Sequence, residues 1–326
     1  MSITQNVSLA VIFAILPTVW AQPNSLIVGG GGYAPPVPIV ITPGTLITLF
    51  VQNIGTQPTS TITASALPLP VKLGGFSVAL KQTRSPQGPI PVPILAVFTI
   101  EACTPQIFAS CGRLTGINVQ IPFELVPIPA GNLGVPIQAN YAQLVVSDEA
   151  GNQAIMEAVP ATDNIHILRA NDTLRAPGKS YYERPGGFPI ITRADGTLIT
   201  EGNLPRSGDT LILYAVGLGP VTPQVKSGEA TPSPAPVAEV YIDFAFNFTG
   251  EPPAHMPRST EANRKAALFS GLTPGSVGLY QINFVVPELP PQFQTRCGTD
   301  LGSTNLTVSI GRAKSFDGVG ICVRVP

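Results

Sequence analysis

The sequence predicts an all-β protein made of two similar antiparallel β-sandwich domains. Three observations support this prediction: the composition, short segments of alternating polarity, and a pattern that occurs twice along the chain. With 32 Gly and 36 Pro but only 11% charged residues, the composition suits short strands joined by many turns rather than a bundle of helices. The hydrophobic content of 44% is sufficient for packed cores, and 326 residues are enough for about two domains.

The repeated pattern consists of four strand-like segments that occur in the same order in each half. Pro43–Gly55, "PGTLITLFVQNIG", matches Ser207–Gly219, "SGDTLILYAVGLG", and Arg113–Leu125, "RLTGINVQIPFEL", matches Gly278–Leu289, "GLYQINFVVPEL". The segments "FSVAL" and "NYAQLVVS" of the first half correspond to "VYIDF" and "STNLTVSI" of the second. Since the elements agree in order and spacing, we interpret the chain as a tandem duplication of one domain.

Alternation within these segments indicates how each strand is placed. Both faces of Thr210–Gly219 are apolar, which predicts a central strand or one that is covered on both sides. In "LYQINFVVP" one face predicts the core positions, which are Tyr280, Ile282, Phe284 and Val286.

Two local signals predict a hairpin and a short helix. Asp195-Gly196 is the pair preferred in a type I′ hairpin turn. Thr260–Gly271, "TEANRKAALFSG", predicts one or two helical turns that stop at Gly271.

A glycine pair at the end of one strand predicts left-handed backbone. Gly217 and Gly219 follow the strand of the second half, and Asn53 and Gly55 hold the same places in the first half. A tight exit from the strand needs a positive φ, which Gly adopts without steric cost and which Asn tolerates. Position 217 is therefore predicted to accept Asn but not Val. The alternative is that these glycines make room for a packed neighbour, in which case Asn would be as harmful as Val.

The N-terminus predicts a cleaved signal peptide over residues 1–21. Val7–Ala21, "VSLAVIFAILPTVWA", is too short to span a bilayer comfortably, and Val19 and Ala21 fit the small-residue rule for cleavage before Gln22. The first 21 residues contain no Lys or Arg, so a buried N-terminal strand or a retained anchor stays open. Because no later segment is apolar enough to span a membrane, we expect a secreted or cell-surface protein.

The first domain is expected at residues 22–160 and the second at 161–326. The segment 161–187 is polar and turn-rich, and part of it is expected to add an edge strand to the second domain. Thr249–Lys265 is interpreted as a loop inserted in the second domain.

Four cysteines in an exported chain predict disulfide bonds. Three pairings are possible, and proximity along the chain favours Cys103–Cys111 and Cys297–Cys322. In the chain-entropy model each such loop stabilises the fold by about 2.5–3.5 kcal/mol. A zinc site would require Cys-x-x-Cys or nearby His spacing, which the sequence lacks.

The second half resembles a known family of domains. The segment "GDTLILYAVGLGPVTPQVKSGEATPS", followed by "GLTPGSVGLYQINFVVP", is similar to the uncharacterised C-terminal domain of many secreted acidobacterial proteins. The match is close from Ala194 to Val286 and looser in the first half. The resemblance implies tandem immunoglobulin-like domains on exported bacterial proteins, and it implies no reaction. The chain departs from the family pattern at Thr249–Lys265 and in the segment Cys297–Cys322.

The sequence predicts neither catalysis nor a bound cofactor or metal. "TPGSVG" has Pro274 where a nucleophile elbow needs Gly, and "VGGGGYAPP" has no following helix to complete a phosphate cradle. The only two His residues, His166 and His255, lie in polar segments, and the acidic residues form no calcium-binding run. Asn118 and Asn283, repeated within a strand, are expected to cap the backbone of a neighbouring loop, with ligand binding as the alternative.

The predicted function is a non-enzymatic structural or adhesive role outside the cell, with an unknown extracellular protein or glycan as partner. A net charge of −1 without a basic run gives no reason to expect a nucleic-acid partner. A carbohydrate-binding module is one alternative, and its best candidate contacts are the adjacent Tyr181 and Tyr182, because the only Trp, Trp20, lies in the predicted signal peptide. An accessory component of a surface assembly is the other alternative.

Overall fold

The computed structural model of the protein describes residues 26–30, 38–83, 88–102, 112–127, 141–170, 189–239, 243–247, 264–265, 267–288, 296–297, 300–311 and 316–325. Within these ranges the chain is all-β, with 23 strands and no helix. The described residues accordingly include no helix able to cross a membrane. The predicted signal peptide lies outside them.

The first half forms two sheets. Its strands are β1 (Leu26–Gly30), β2 (Ile39–Ile41), β3 (Leu46–Gln52), β4 (Ile62–Thr63), β5 (Lys72–Leu73), β6 (Phe76–Gln82), β7 (Ile90–Pro91), β8 (Ile94–Ala102), β9 (Gly112–Gln120), β10 (Ala142–Asp148) and β11 (Gln153–Pro160). One sheet has the strand order β1-β3-β9-β8-β4, and the other has the order β2-β11-β10-β6-β5, with β7 also beside β6.

The second half also forms two sheets. Its strands are β12 (His166–Ile167), β13 (Ile191–Arg193), β14 (Thr210–Val216), β15 (Val221–Thr222), β16 (Val237–Ala238), β17 (Asp243–Asn247), β18 (Arg264–Lys265), β19 (Phe269–Leu272), β20 (Tyr280–Val285), β21 (Arg296–Cys297), β22 (Asp300–Gly311) and β23 (Phe316–Arg324). One sheet has the order β12-β14-β20-β19-β16-β15, with β13 beside β14, and the other has the order β18-β17-β22-β21, with β23 beside β22.

Both halves have the strand order of an immunoglobulin-like sandwich. In that fold the strands, named A to G along the chain, form sheets with the orders A-B-E-D and C-F-G. These are β1-β3-β9-β8 and β6-β10-β11 in the first half, and β13-β14-β20-β19 and β17-β22-β23 in the second. The predicted fold class, two tandem immunoglobulin-like β-sandwiches, is therefore confirmed. One pair departs from the antiparallel prediction, because β2 runs parallel to β11.

The repeat in the sequence is also a repeat in strand register. Asn118 lies opposite Thr48 where β9 pairs with β3. Asn283 lies opposite Ile212 where β20 pairs with β14. Thr48 and Ile212 are equivalent positions of the two aligned segments, so the E strand meets the B strand in the same register in both halves.

Each half has its own hydrophobic core. All buried residues of the first cluster come from the range Ile39–Ala158 of the sequence, and all those of the second come from the range Ile165–Val323. The domain boundary predicted at 160/161 falls between the two clusters. The strand β14 is central, as predicted, since β20 flanks one side and β12 and β13 the other. The core face predicted for the neighbouring segment, β20 and the residue after it, is buried. Its members Tyr280, Ile282, Phe284 and Val286 are only 0–1% exposed.

The predicted helix in Thr260–Gly271 is wrong for the residues that the structure describes. Arg264–Lys265 pairs with β17, and Phe269–Leu272 pairs with β20. Strand pairing thus overrides a weak helix propensity. Gly271 does not stop a helix; it lies where two backbones approach closely, because a Cβ there would come within 2.9 Å of Val237 Cα.

The hairpin at Asp195-Gly196 is present, but the predicted turn type is wrong. A type I′ turn needs a positive φ at both central residues, whereas Asn53 is the only described non-Gly residue with a positive φ. Gly196 has a φ of 84°, and its N–H donates to Arg193 O at 3.0 Å. The Asp195 carboxylate accepts a hydrogen bond from Thr197 N at 2.9 Å, which forms an Asx turn.

The predicted left-handed strand exits are confirmed. The φ angles are 79° at Gly217 and 84° at Gly219, and in the first half they are 56° at Asn53 and 62° at Gly55. The two halves therefore leave the B strand along the same unusual backbone path.

Candidate functional site

The first candidate site is the junction between the halves, where buried backbone groups of one half form hydrogen bonds with the other half. Gln120, the last residue of β9, is 1% exposed, and its Oε1 accepts a hydrogen bond from Gly228 N at 2.6 Å. The carbonyl of Gly228 accepts another hydrogen bond, from Leu69 N at 2.8 Å. Both backbone groups of Gly228 are thus bound by the first half.

Ser227 attaches the same turn to the segment that follows β9. Phe123 N donates to Ser227 Oγ at 2.8 Å, and Ser227 Oγ donates to Glu124 Oε2 at 2.5 Å. The Phe123 ring packs against the core of the second half. Gly44 leaves the space for this ring, because a Cβ at Gly44 would lie within 3.0 Å of the Phe123 ring.

A second set of junction contacts lies where the chain passes from one core to the other. Asn164 N donates to Gly217 O at 2.9 Å, and Asn164 Nδ2 donates to Val40 O at 3.3 Å. Gly278 lies so close to the first half that a Cβ there would be 2.6 Å from Gly44 O. The Asn164 side chain thus binds β2 of the first half, and Gly278 approaches Gly44 where no side chain would fit, so these two contacts define one arrangement of the junction.

The second candidate site is a buried ionic cluster in the second half. Asp317 Oδ1 accepts a hydrogen bond from Arg169 Nη2 at 2.8 Å, and Asp317 Oδ2 lies 3.3 Å from His166 Nδ1. The carboxylate also accepts hydrogen bonds from the backbone N–H groups of Ile167 and Gly318, at 2.9 Å and 2.8 Å. Burial opposes ionisation of Asp317, but the hydrogen bonds from His166 and Arg169 and their charges outweigh it and hold the pKa of Asp317 at about 2.

The geometry of this cluster indicates a structural role. Asp317 lies on β23 of one sheet, and it binds His166 and Ile167 on β12 of the other sheet. Arg169 adds hydrogen bonds to the carbonyls of Ile167 and Gly318. The cluster therefore ties the two sheets of the second sandwich together. Among the described residues, no group of three or more His, Cys, Asp or Glu is arranged to hold a metal ion.

The third candidate site is a polar cleft of about 280 Å³ in the first half. It lies between the segment 58–61 and the neighbouring ends of β8 and β9. No motif marks it in the sequence, because its Ser and Thr residues form an ordinary polar loop and its charged residues are far from them along the chain.

The repeated Asn residues bind strand side chains instead of loop backbone. Thr48 Oγ1 donates to Asn118 Oδ1 at 2.6 Å. Gln281 Nε2 donates to Asn283 Oδ1 at 3.3 Å. The expected backbone capping is therefore wrong, since each Asn lies in a sheet whose nearest side-chain donor is on the same or the adjacent strand.

Five predicted or considered site residues lie outside the described residues: Cys103, Cys111, Tyr181, Tyr182 and His255. Cys322, on β23, is disulfide-bonded. Cys297 lies on β21, and both β21 and β23 pair with β22. The pairings Cys103–Cys111 and Cys297–Cys322 remain predictions that non-reducing peptide mapping can check. A bond between the two halves would contradict them.

Comparison with known proteins leaves the family open. No family model matches the chain, and no curated protein matches it. Among solved structures, a chimeric titin Z1Z2 functionalised with an exogenous KLER peptide from decorin is 10% identical, with 89% of this chain and 92% of that chain covered, at a TM-score of 0.19. The titin domains Z1Z2 in complex with telethonin give the same identity and coverage at a TM-score of 0.18. Such low scores carry no argument, so the fold assignment here depends on strand order and register.

Proposed function

We propose that the protein is a secreted, non-enzymatic structural or adhesive protein whose two sandwiches act as one rigid unit. The junction is the observation that supports this proposal. It joins the halves through a buried side-chain-to-backbone bond from Gly228 to Gln120, a backbone bond from Leu69 to Gly228, and a bond from the Asn164 side chain to Val40 O. Relative motion of linked domains is the usual expectation unless their interface is large and hydrophobic, and here buried hydrogen bonds and a close backbone approach fix the arrangement instead.

A rigid pair of domains suits a structural or adhesive protein outside the cell, because it holds a surface at a fixed distance and orientation. Loss of the buried bond between Gln120 and Gly228 leaves polar groups unsatisfied, which costs about 1–3 kcal/mol. Several such bonds acting together therefore make hinge bending at the junction unfavourable. The same geometry suits an accessory component of a surface assembly, which is the alternative role.

The rigid unit is tested with a double variant of the full chain, Gln120→Ala with Ser227→Ala. It removes the acceptor for Gly228 N and the link to Phe123. Gln143→Ala is the matched control, because Gln143 bonds Glu157 on an exposed strand surface at 2.7 Å. Small-angle X-ray scattering and calorimetry are measured on all three proteins.

We expect the wild type and the control to scatter as one rigid shape and to unfold with coupled transitions. The double variant should show a broader range of shapes and two separated transitions. A wild type whose halves unfold independently, or a double variant that behaves like the control, would refute the rigid unit. The extracellular role is tested separately by antibody labelling of intact producing cells and their medium, and protein confined to the cell interior would contradict it.

A further inference from the structure

The polar cleft of the first half combines hydroxyl and charged groups on one surface. Its lining residues include Thr59, Ser60 and Thr61, which carry hydroxyl groups, and Glu101 and Arg113, which carry charges. Its volume of about 280 Å³ lies just below the range of roughly 300–1,000 Å³ that is usual for small-molecule sites.

The walls of the cleft are fixed to each other. Thr99 Oγ1 donates to Pro58 O at 2.7 Å, which holds the segment 58–61 against β8. Gln57 Nε2 donates to Arg113 O at 2.9 Å, which holds the same segment against β9. Because these bonds do not use the hydroxyl groups of Thr59, Ser60 or Thr61, the cleft is formed before any ligand enters, and binding has little ordering entropy to overcome.

The two charged side chains of the cleft provide complementary hydrogen-bonding groups, one with acceptors and the other with donors. Glu101 and Arg113 are direct partners across β8 and β9, and both are exposed. Neither forms an ion pair within the part of the chain that the structure describes. A carboxylate supplies acceptors and a guanidinium supplies up to five donors, so together with three hydroxyl groups they present both kinds of hydrogen-bonding group to one ligand.

We propose that this cleft binds a neutral saccharide of one or two rings. Sugar hydroxyls donate and accept, which matches the mixed lining, and the one Glu and one Arg leave the cleft without a net charge that would favour a phosphate or another anion. The binding activity is additional to the rigid structural role, and it does not depend on that role.

The test titrates the full chain with cellobiose, maltose, lactose and chitobiose, with inorganic phosphate as the anionic comparison. Amide NMR shifts locate the site, and calorimetry measures affinity for the wild type, Glu101→Gln and Arg113→Gln. Lys72→Gln is the matched control, since Lys72 pairs with Glu149 at 3.2 Å on the exposed surface of the same half. Thermal unfolding confirms that each variant is folded, which is expected because all three side chains are exposed.

We expect at least one disaccharide to shift the amides of residues 59–61 and 99–101. Both cleft variants should weaken its binding at least tenfold, and the control should not. Three results would overturn the proposal: no disaccharide of the panel binds, the cleft variants bind as tightly as the wild type, or phosphate binds in the cleft more tightly than every sugar. None of these results bears on the rigidity of the junction, which scattering tests independently.

Discussion

Replacing Gly217 tests how far the stability of the second half, at its border with the first, depends on a single close approach of two backbone segments. A Cβ at Gly217 would lie within 2.8 Å of the carbonyl carbon of Asn164, closer still to its oxygen, and 3.4 Å from Thr45 Oγ1. The backbone of Asn164 cannot move away without losing its hydrogen bond to Gly217 O, which is 2.9 Å long. The φ of 79° adds strain for any residue with a Cβ.

These two effects give the magnitude. Left-handed strain for a non-Gly residue costs about 1–2 kcal/mol. Loss of the hydrogen bond, with a buried group left unsatisfied, costs about 1–3 kcal/mol more. Gly217→Ala should therefore destabilise the protein by about 2–5 kcal/mol. Gly217→Asn relieves part of the strain but carries the same Cβ, so the structure corrects the expectation from sequence that Asn would be accepted here.

Urea unfolding of Gly217→Ala, Gly217→Asn, Gly217→Val and Gly208→Ala measures the effect. Gly208 is the matched control, because its φ is 87° and a Cβ there would meet nothing within 4 Å. Gly208→Ala should lose only the strain, about 1–2 kcal/mol. Equal losses at the two positions, or a Gly217→Asn protein as stable as the wild type, would refute the steric argument.

Three further predictions concern acid stability, a buried phenol and processing. Because the pKa of Asp317 is lowered from 3.8 to about 2, its contribution of roughly 2 kcal/mol is present above about pH 4 and is lost as the pH falls toward 2; acid unfolding of Asp317→Asn should lack this dependence, and an unchanged profile would contradict it. Tyr280 donates its O–H to Gly219 O, and burial raises its pKa above the ordinary value. Tyr280→Phe should lose about 1–3 kcal/mol in urea unfolding, and on titration of the native proteins to pH 11 the wild type and Tyr280→Phe should form the same amount of phenolate. Mass spectrometry of exported protein should find a chain that begins at Gln22, whereas an intact N-terminus would show that no signal is cleaved.

The features predicted correctly from the sequence are those set by local periodicity and by the duplication. The core face of Tyr280 and its neighbours follows from period-two alternation, which burial in a sheet enforces. The positive φ of Asn53 followed from its alignment with Gly217, since the two residue types share a tolerance for that conformation. The duplication helped because a pattern in one half could be compared with the aligned segment of the other half.

The features missed depend on groups that are far apart along the chain. The clash at Gly217 arises from Asn164, and the cleft brings Ser60 beside Arg113. Neither relation leaves a mark in local composition. The predicted turn type at Asp195 was wrong for another reason: the same dipeptide fits two kinds of hairpin loop, and here only Gly196 of the pair has a positive φ.

The shared register of the two halves creates a hazard while the chain folds. An E strand of one half can be aligned with the B strand of the other, and such misassembly is characteristic of repeated domains. An exchange that placed Asn118 opposite Ile212 would remove its hydrogen bond from Thr48. In the second half Gln281 donates a hydrogen bond to Asn283, but the equivalent residue of the first half is Gly116, which has no side chain to donate. Asn118 would therefore have no replacement donor on its own strand in the incorrect sheet. The divergence of these few side chains thus makes the incorrect pairing less stable than the native one.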